Sequence, residues 1–187
     1  MTGGGVPLVV ITGPVGSGKS SVVEAVSKLL ADNNFRHAVV DMDFLRIARP
    51  TPPDDPFGEA DGRRNLTALW PLLVADGARS VVLADVVEQR EEYLRAFAEL
   101  LPGVPVTIVR LAVPMALLLR RIRAREPPET VAWYLARAPE LQAIMDRGPV
   151  EDVLIEVGER SPAAVAAEIV ERVAVSGSPG SGFLLGE

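Results

Sequence analysis

The sequence predicts an α/β fold in three layers, a parallel sheet with helices on both faces. Two observations carry this. Short apolar runs alternate with segments of helical period along the chain, and the first run passes into its helix through a glycine-rich turn. Right-handed crossovers then place helices above and below the sheet, and ligands bind beyond the carboxyl ends of the strands.

Pro7 to Thr12 (PLVVIT) is β-rich with glycines on both sides, and predicts the first strand. From Lys19 the spacing changes: Val22, Val23, Val26, Leu29 and Leu30 share one helical face, and Asp32, Asn33 and Asn34 end the helix. His37 to Met42 predicts the second strand, and Asp54 to Gly62 a polar, proline-bearing loop. Leu66, Leu69, Trp70 and Leu73 make the next helical stripe, which Gly77 ends. Pro71 inside that stripe removes a backbone donor and crowds the preceding turn, which predicts a kink or break. Ser80 to Asp85 (SVVLAD) reads as a buried strand, followed by a helix with Tyr93, Leu94, Phe97, Leu100 and Leu101 on one face. Pro105 to Val113 is the fourth strand and leads to a helix carrying Leu118, Leu119 and Ile122.

The proline- and arginine-rich stretch from Arg120 to Pro149 reads as an inserted lid with short helical patterns inside it. Val153 to Val157 closes the set of strands, and the last helix opens with Ser161 as N-cap and Pro162 at its first position. One domain therefore covers residues 1–175, and SGSPGSG from Ser176 begins a flexible tail over 176–187.

Composition narrows the functions. With 187 residues and 48% hydrophobic content, the chain suits one domain with a sizeable core. A formal charge of −6 works against a sequence-independent grip on nucleic acid, which needs clustered Lys and Arg to displace counterions. The absence of cysteine removes disulfides, thiolate metal sites and a Cys nucleophile, and a single histidine, His37, rules out a multi-histidine metal cage. There is no signal-like start and no apolar run near the roughly 18 residues of a membrane span. The expectation is a cytoplasmic monomer or homodimer with no nucleic-acid or membrane partner.

Gly13, four residues, Gly18, Lys19 and Ser20 stand between a predicted strand and a predicted helix, the context a phosphate-binding loop requires. Glycines at 13, 16 and 18 let backbone N–H groups turn inward, and the helix adds the positive end of its dipole. Gly13, Val15, Gly16, Ser17, Gly18, Lys19, Ser20 and Ser21 are the expected polyphosphate site. Lys19 would reach the β- and γ-phosphates, and the Ser20 hydroxyl would ligate Mg²⁺.

In VVDMDFLR, Asp41 and Asp43 are two apart at a strand end and point to one side if the chain is still extended. One carboxylate would organise Mg²⁺ and the other would accept a proton from a substrate hydroxyl. Asp85, at the end of another apolar strand, competes with Asp41 for the metal. Arg46 suits an anionic part of an acceptor. Arg110, Arg120, Arg121, Arg123 and Arg125 precede Pro127 as candidate cations for charge on a transferred phosphoryl group. His37 and Trp70 read as packing residues, whereas Trp133 and Tyr134 pack or floor an acceptor pocket.

These motifs resemble the P-loop small-molecule kinases, the group of adenylylsulfate kinase, shikimate kinase, gluconate kinase and chloramphenicol phosphotransferase. The likeness covers nearly the whole chain before the tail and implies a five-stranded sheet of order 2-3-1-4-5. Asp41, Asp43 and Arg46 match the D-x-D-x-x-R stretch of adenylylsulfate kinases, and Asn65 falls where that family has an acceptor-binding asparagine. Asp43 is then the acceptor-side carboxylate. VPMALLLRR resembles the passage ending in an adenine- or lid-contacting arginine, here Arg121, with Arg125 a looser match. VGERSP resembles the loop passing the adenine, which brings in Gly158 and Ser161. An arginine three residues before the asparagine is here Gly62, with Arg63 and Arg64 displaced, and the lysine- and glycine-rich lid of adenylylsulfate kinase is missing.

The expectation is transfer of the γ-phosphoryl group of ATP, with Mg²⁺, to a hydroxyl or phosphate of a small-molecule acceptor. Lys19, Asp43, Arg121 and Arg125 serve catalysis, while Asp43, Arg46, Arg63, Arg64 and Asn65 serve the acceptor. A nucleoside or nucleotide kinase is the alternative within the class. A nucleotide-binding switch or ATPase acting on a protein partner is the alternative outside it.

Overall fold

In the computed structural model, which describes residues 5–175, the first apolar run forms β1 (Leu8–Thr12), and all five residues are buried. The predicted tail from Ser176 lies outside the described residues. A strand buried on both faces needs a cover on each. Val9 and Ile11 point into one core, with Val22, Val23 and Val26 of α1 (Lys19–Asp32) and Val165 and Ile169 of α7 (Pro162–Val175). Leu8 and Val10 point into the other, with Leu66 and Trp70 of α3 (Glu59–Ala75) and Tyr93 and Phe97 of α4 (Arg90–Leu100). The period of two along one strand thus builds both outer layers.

The sheet is completed by β2 (Ala38–Asp41), β3 (Val81–Ala84), β4 (Val106–Ala112) and β5 (Val153–Glu156). Its five strands are parallel in the order β2-β3-β1-β4-β5, as the resemblance implied. Leu8 is in register with Val81 on one side and Val106 on the other, so β1, β3 and β4 begin together, and β4 runs on past the carboxyl ends of β1 and β3. Beyond those ends lies the glycine-rich loop. The edge strand β5 alternates buried and exposed residues, as a strand with one covered face should.

Four features differ from the sequence expectation. The predicted loop over 54–62 ends early, because Asp55 accepts hydrogen bonds from the backbone N–H groups of Glu59 (2.7 Å) and Ala60 (2.9 Å) and starts α3 there. A one-turn helix, α2 (Met42–Leu45), follows β2 directly, capped by the Asp41 carboxylate on the Asp43 N–H at 3.0 Å. Pro71 does not interrupt α3; it sits on the exposed face, where the carbonyl it leaves unbonded can meet water. The stretch read as short helical patterns holds the end of α5 (Met115–Arg125) and one long helix, α6 (Pro128–Arg147), with Pro139 on its exposed side.

Helix α6 is tied to the sheet. Ala138, Leu141 and Met145 are buried, and Arg110 of β4, itself buried, donates to the Met145 carbonyl at 2.8 Å and pairs with Asp146. No described helix is long and apolar enough to cross a membrane.

Candidate active site

The loop between β1 and α1 is shaped for an anion. Gly16 has φ 84°, and a Cβ there would lie 3.0 Å from Ile122 Cγ1 and 3.3 Å from the Leu118 carbonyl of α5, so only glycine fits. Gly18, at φ 93°, is the N-cap of α1 and supplies no side-chain cap, and the first turn contains no acidic residue. The first N–H groups of α1 and its dipole are therefore left for a ligand. Lys19 Nζ folds back to donate to the carbonyls of Gly13 (3.0 Å) and Pro14 (3.4 Å). Burial holds its pKa below the ordinary lysine value, opposed by the charges of Asp43, Asp85 and Asp41. The side-chain oxygen of Ser17 is buried with no hydrogen-bond partner.

The two strand-end carboxylates have separate jobs. Asp41 accepts from Ser20 Oγ at 2.8 Å through one oxygen and caps α2 with the other. That cap turns the chain, so Asp43 lies on helix rather than extended strand, with its side chain 82% exposed. Arg46 spans Asp43 (3.0 Å) and Asp85 (2.6 Å). Asp85 is otherwise engaged by the Val86 N–H (2.8 Å) and the Tyr93 hydroxyl (3.1 Å). Burial raises the Asp85 pKa against the pull of Arg46 and these donors, and burial with the Asp85 charge raises Tyr93 well above its usual value.

Two cavities flank the loop. One, of about 480 Å³, runs beside Gly16, Ser17, Gly18 and Ser21 to Arg121, Val157 and Arg160. The other, of about 510 Å³, holds Lys19, Ser20, Asp43, Arg46, Trp133 and Arg137. They share Gly16, Gly18, Ser21 and Arg125. A wider cavity of about 640 Å³, around Phe35, His37 and Asp76, lies near the amino end of β2, away from the loop.

The remaining expected residues distribute as follows. Arg121 donates to the carbonyls of Ser17 (3.4 Å) and Gly158 (3.3 Å), under the loop. Ser161 Oγ caps α7 through the Ala164 N–H at 3.2 Å. Asn65 donates to the Leu45 carbonyl at 2.8 Å and braces α2, Arg63 pairs with Glu59 at 2.6 Å, and Arg64 pairs with Asp61. None of these three lines the cavity of Asp43 and Arg46. His37 lies between Ser27 Oγ (2.7 Å) and the Phe35 carbonyl (2.8 Å), a packed position. The sequence reading missed Arg49, Phe57, Glu88, Arg137 and Arg160 as lining residues. Their only sequence signal was proximity to motifs already found.

Among the described residues no group of three or more His, Cys, Asp or Glu side chains is placed to hold a metal ion. Ser20 and Asp41 are a hard oxygen pair beside the loop. That chemistry suits Mg²⁺, which is held by one or two protein oxygens together with substrate phosphates and water.

No family model matches the chain. A curated relative, the bifunctional enzyme CysN/CysC of Rhodopirellula baltica, is 27% identical over 170 residues; the match covers 90% of this chain and 26% of that protein. Among solved structures, shikimate kinase from Acinetobacter baumannii in complex with shikimate is 21% identical, with TM-score 0.61, covering 93% of this chain and 96% of that one. The tunicamycin resistance protein of Deinococcus radiodurans is 17% identical (TM-score 0.60, 90% and 96% covered). The Mycobacterium tuberculosis APS kinase CysC in complex with AMPPNP and APS is 22% identical (TM-score 0.57, 88% and 95% covered). The chain has the fold of the P-loop kinases.

Proposed function

We propose that the protein is a kinase that uses ATP and Mg²⁺ to phosphorylate a hydroxyl or phosphate of a small molecule. The observation that carries this reading is the meeting of two cavities at Gly16, Gly18, Ser21 and Arg125. A nucleotide laid beside Arg121 would present its terminal phosphate to the cavity of Asp43. Lys19 would exchange the carbonyls of Gly13 and Pro14 for phosphate oxygens. Ser20 and Asp41 would hold Mg²⁺, which neutralises charge between the phosphates.

For a hydroxyl acceptor, its oxygen forms a bond to the γ-phosphorus as the bond from that phosphorus to the bridging oxygen breaks. ADP departs, and the hydroxyl proton passes to Asp43. Catalysis rests mostly on positioning and charge, so Asp43 orients more than it deprotonates. Arg125 would face the transferring group.

The test couples an ATP·Mg²⁺ titration on the full chain and on Lys19→Ala with a screen of hydroxylated metabolites and nucleosides for acceptor-dependent ADP release. Binding lost in Lys19→Ala, with turnover that waits on an acceptor, supports the reading. Absence of ATP binding would sink it, and hydrolysis indifferent to every small molecule would transfer support to the switch or ATPase.

A further inference from the structure

The cavity of Asp43 contains several arginines, yet each is already engaged by the protein. Arg46 lies between Asp43 and Asp85 at 3.0 and 2.6 Å. Arg137 pairs with Glu88 and, at 2.8 Å, with Glu140. Arg125 pairs with Glu126 at 2.5 Å, and Arg49 donates to the carbonyls of Arg46 and Ala48, both at 2.8 Å. At Arg46, Arg125 and Arg137 a carboxylate, sulfate or phosphate on an acceptor would compete with Asp85, Glu126 and Glu88, partly buried carboxylates that lose more on displacement than the new pair gains.

The same cavity offers apolar surface instead. Trp133 is 50% exposed and Phe57 46%, although both are large aromatics. Their centroids are 6.4 Å apart at 50°, and Trp133 rests edge-on against Tyr134 at 4.9 Å. Arg137, which lines the same cavity, lies 5.6 Å over the Phe57 ring and helps to hold it. Half-exposed aromatics held in place within a cavity are suited to a flat apolar ligand, with a few polar groups for orientation.

We infer that the acceptor is an uncharged hydroxyl compound bearing an apolar ring, laid on Trp133 and Phe57, and not an anionic metabolite. This rests on the kinase reading and narrows its acceptor to a hydroxyl. The pairing of Arg46 with both Asp43 and Asp85 then serves to hold the acceptor-side carboxylate in place, and three of the four arginines lining the cavity already have a carboxylate partner.

A matched series of probes tests it: phenyl β-D-glucoside, phenyl β-D-glucuronide, which adds a carboxylate, and methyl β-D-glucoside, which lacks the ring. The chain has two tryptophans, so ¹⁵N-labelled full-length protein gives two indole signals, with buried Trp70 as the internal control. Phenyl glucoside should move the Trp133 signal, and the other two probes should need about tenfold higher concentration, equivalent to ~1.4 kcal/mol. Phe57→Leu should weaken the preference for the ring at the Trp133 signal, and Glu88→Gln, which leaves Arg137 paired with Glu140 alone, should strengthen glucuronide binding. A Trp133 signal that follows the glucuronide as well as the glucoside, ignores the ring, or moves with none of the probes overturns the proposal. No turnover is required, so the inference can fail while ATP binding and acceptor-dependent ADP release still support a kinase.

Discussion

Ser20 Oγ donates to Asp41 Oδ2 across 2.8 Å and joins the first turn of α1 to the end of β2. Asp85, the rival carboxylate, has its oxygens taken by Arg46, Val86 and Tyr93. Ser20→Ala and Asp41→Asn are therefore expected to raise the Mg²⁺ concentration needed for ATP to stabilise the protein, by about tenfold or more. Asp85→Asn should leave that midpoint in place. A thermal-shift titration of Mg²⁺ at fixed ATP separates them, and a midpoint that moves only in Asp85→Asn would reverse the assignment.

Asp43 lines the cavity opposite the loop with its side chain exposed, so its loss should not disturb the core. Asp43→Asn keeps the size and removes the proton-accepting charge. Acceptor-dependent turnover should fall by roughly 10²-fold, the scale of a positioned acid–base group, while ATP affinity stays near normal. Steady-state kinetics beside an ATP titration decide this, because a general defect would lower both.

The sheet was legible because β1, β3 and β4 lie between covered faces and so consist almost wholly of apolar residues. The loop was legible because close approach to Ile122 and Leu118 demands glycine at 16. Helix α2 was not, since its four residues are too few to show a period and its start depends on the Asp41 cap. Helix α6 was hidden by Pro139, whose missing donor costs little on an exposed face. The engagement of Asp85 was invisible because its cation, Arg46, is 39 residues away in the chain. The exposure of Trp133 likewise depends on where α6 docks.

Lys19 is held against the loop with its pKa lowered by burial. A base with a lower pKa in the folded state makes folding less favourable while it is charged. That cost is complete below the lowered pKa and fades as pH rises from there to 10.5, the ordinary lysine value. Lys19→Met should then raise the melting temperature of the nucleotide-free protein at neutral pH, by about 2–4 °C for each kcal/mol recovered. It should also remove most of the stabilisation that ATP confers on the wild type. Scanning calorimetry with and without ATP checks both signs, and a lower melting temperature without nucleotide would make Lys19 a structural residue.

Asp85 is 4% exposed and its partner Arg46 14%, with burial raising the carboxyl above its usual 3.8. An acid raised in the folded state gives up its proton later there than in the unfolded chain. Stability should therefore decline as pH climbs from 3.8 to the raised value, and Asp85→Asn should remove that component of the slope. Arg46→Met leaves the carboxylate buried without its cation, at a cost of about 3–5 kcal/mol at neutral pH that shrinks on acidification. Urea unfolding of the three proteins between about pH 3.5 and 7 measures the slopes. A steeper loss for Arg46→Met in acid than at neutrality would contradict the pairing.

Arg110 connects the sheet to the helix that forms one wall of the cavity of Asp43. Its guanidinium donates to the Met145 carbonyl at 2.8 Å, pairs with Asp146, and lies 3.8 Å from Glu151, which is itself largely buried. Trp133, Tyr134 and Arg137 all ride on that helix, so the hold at its C-terminal end sets where the aromatic wall stands. Arg110→Met should cost about 3 kcal/mol, because it leaves a buried carbonyl without its donor and the largely buried Glu151 carboxylate without its cation. Hydrogen exchange should then speed up in α6 while the amides of β1 remain protected. With an acceptor available, its KM should rise more than the Kd for ATP, whose loop is anchored by α1 and α5. Arg110→Lys retains the charge without the forked geometry and should recover part of the protection. Unchanged exchange in α6 of either variant would show that apolar packing of Ala138, Leu141 and Met145 alone holds the wall in place.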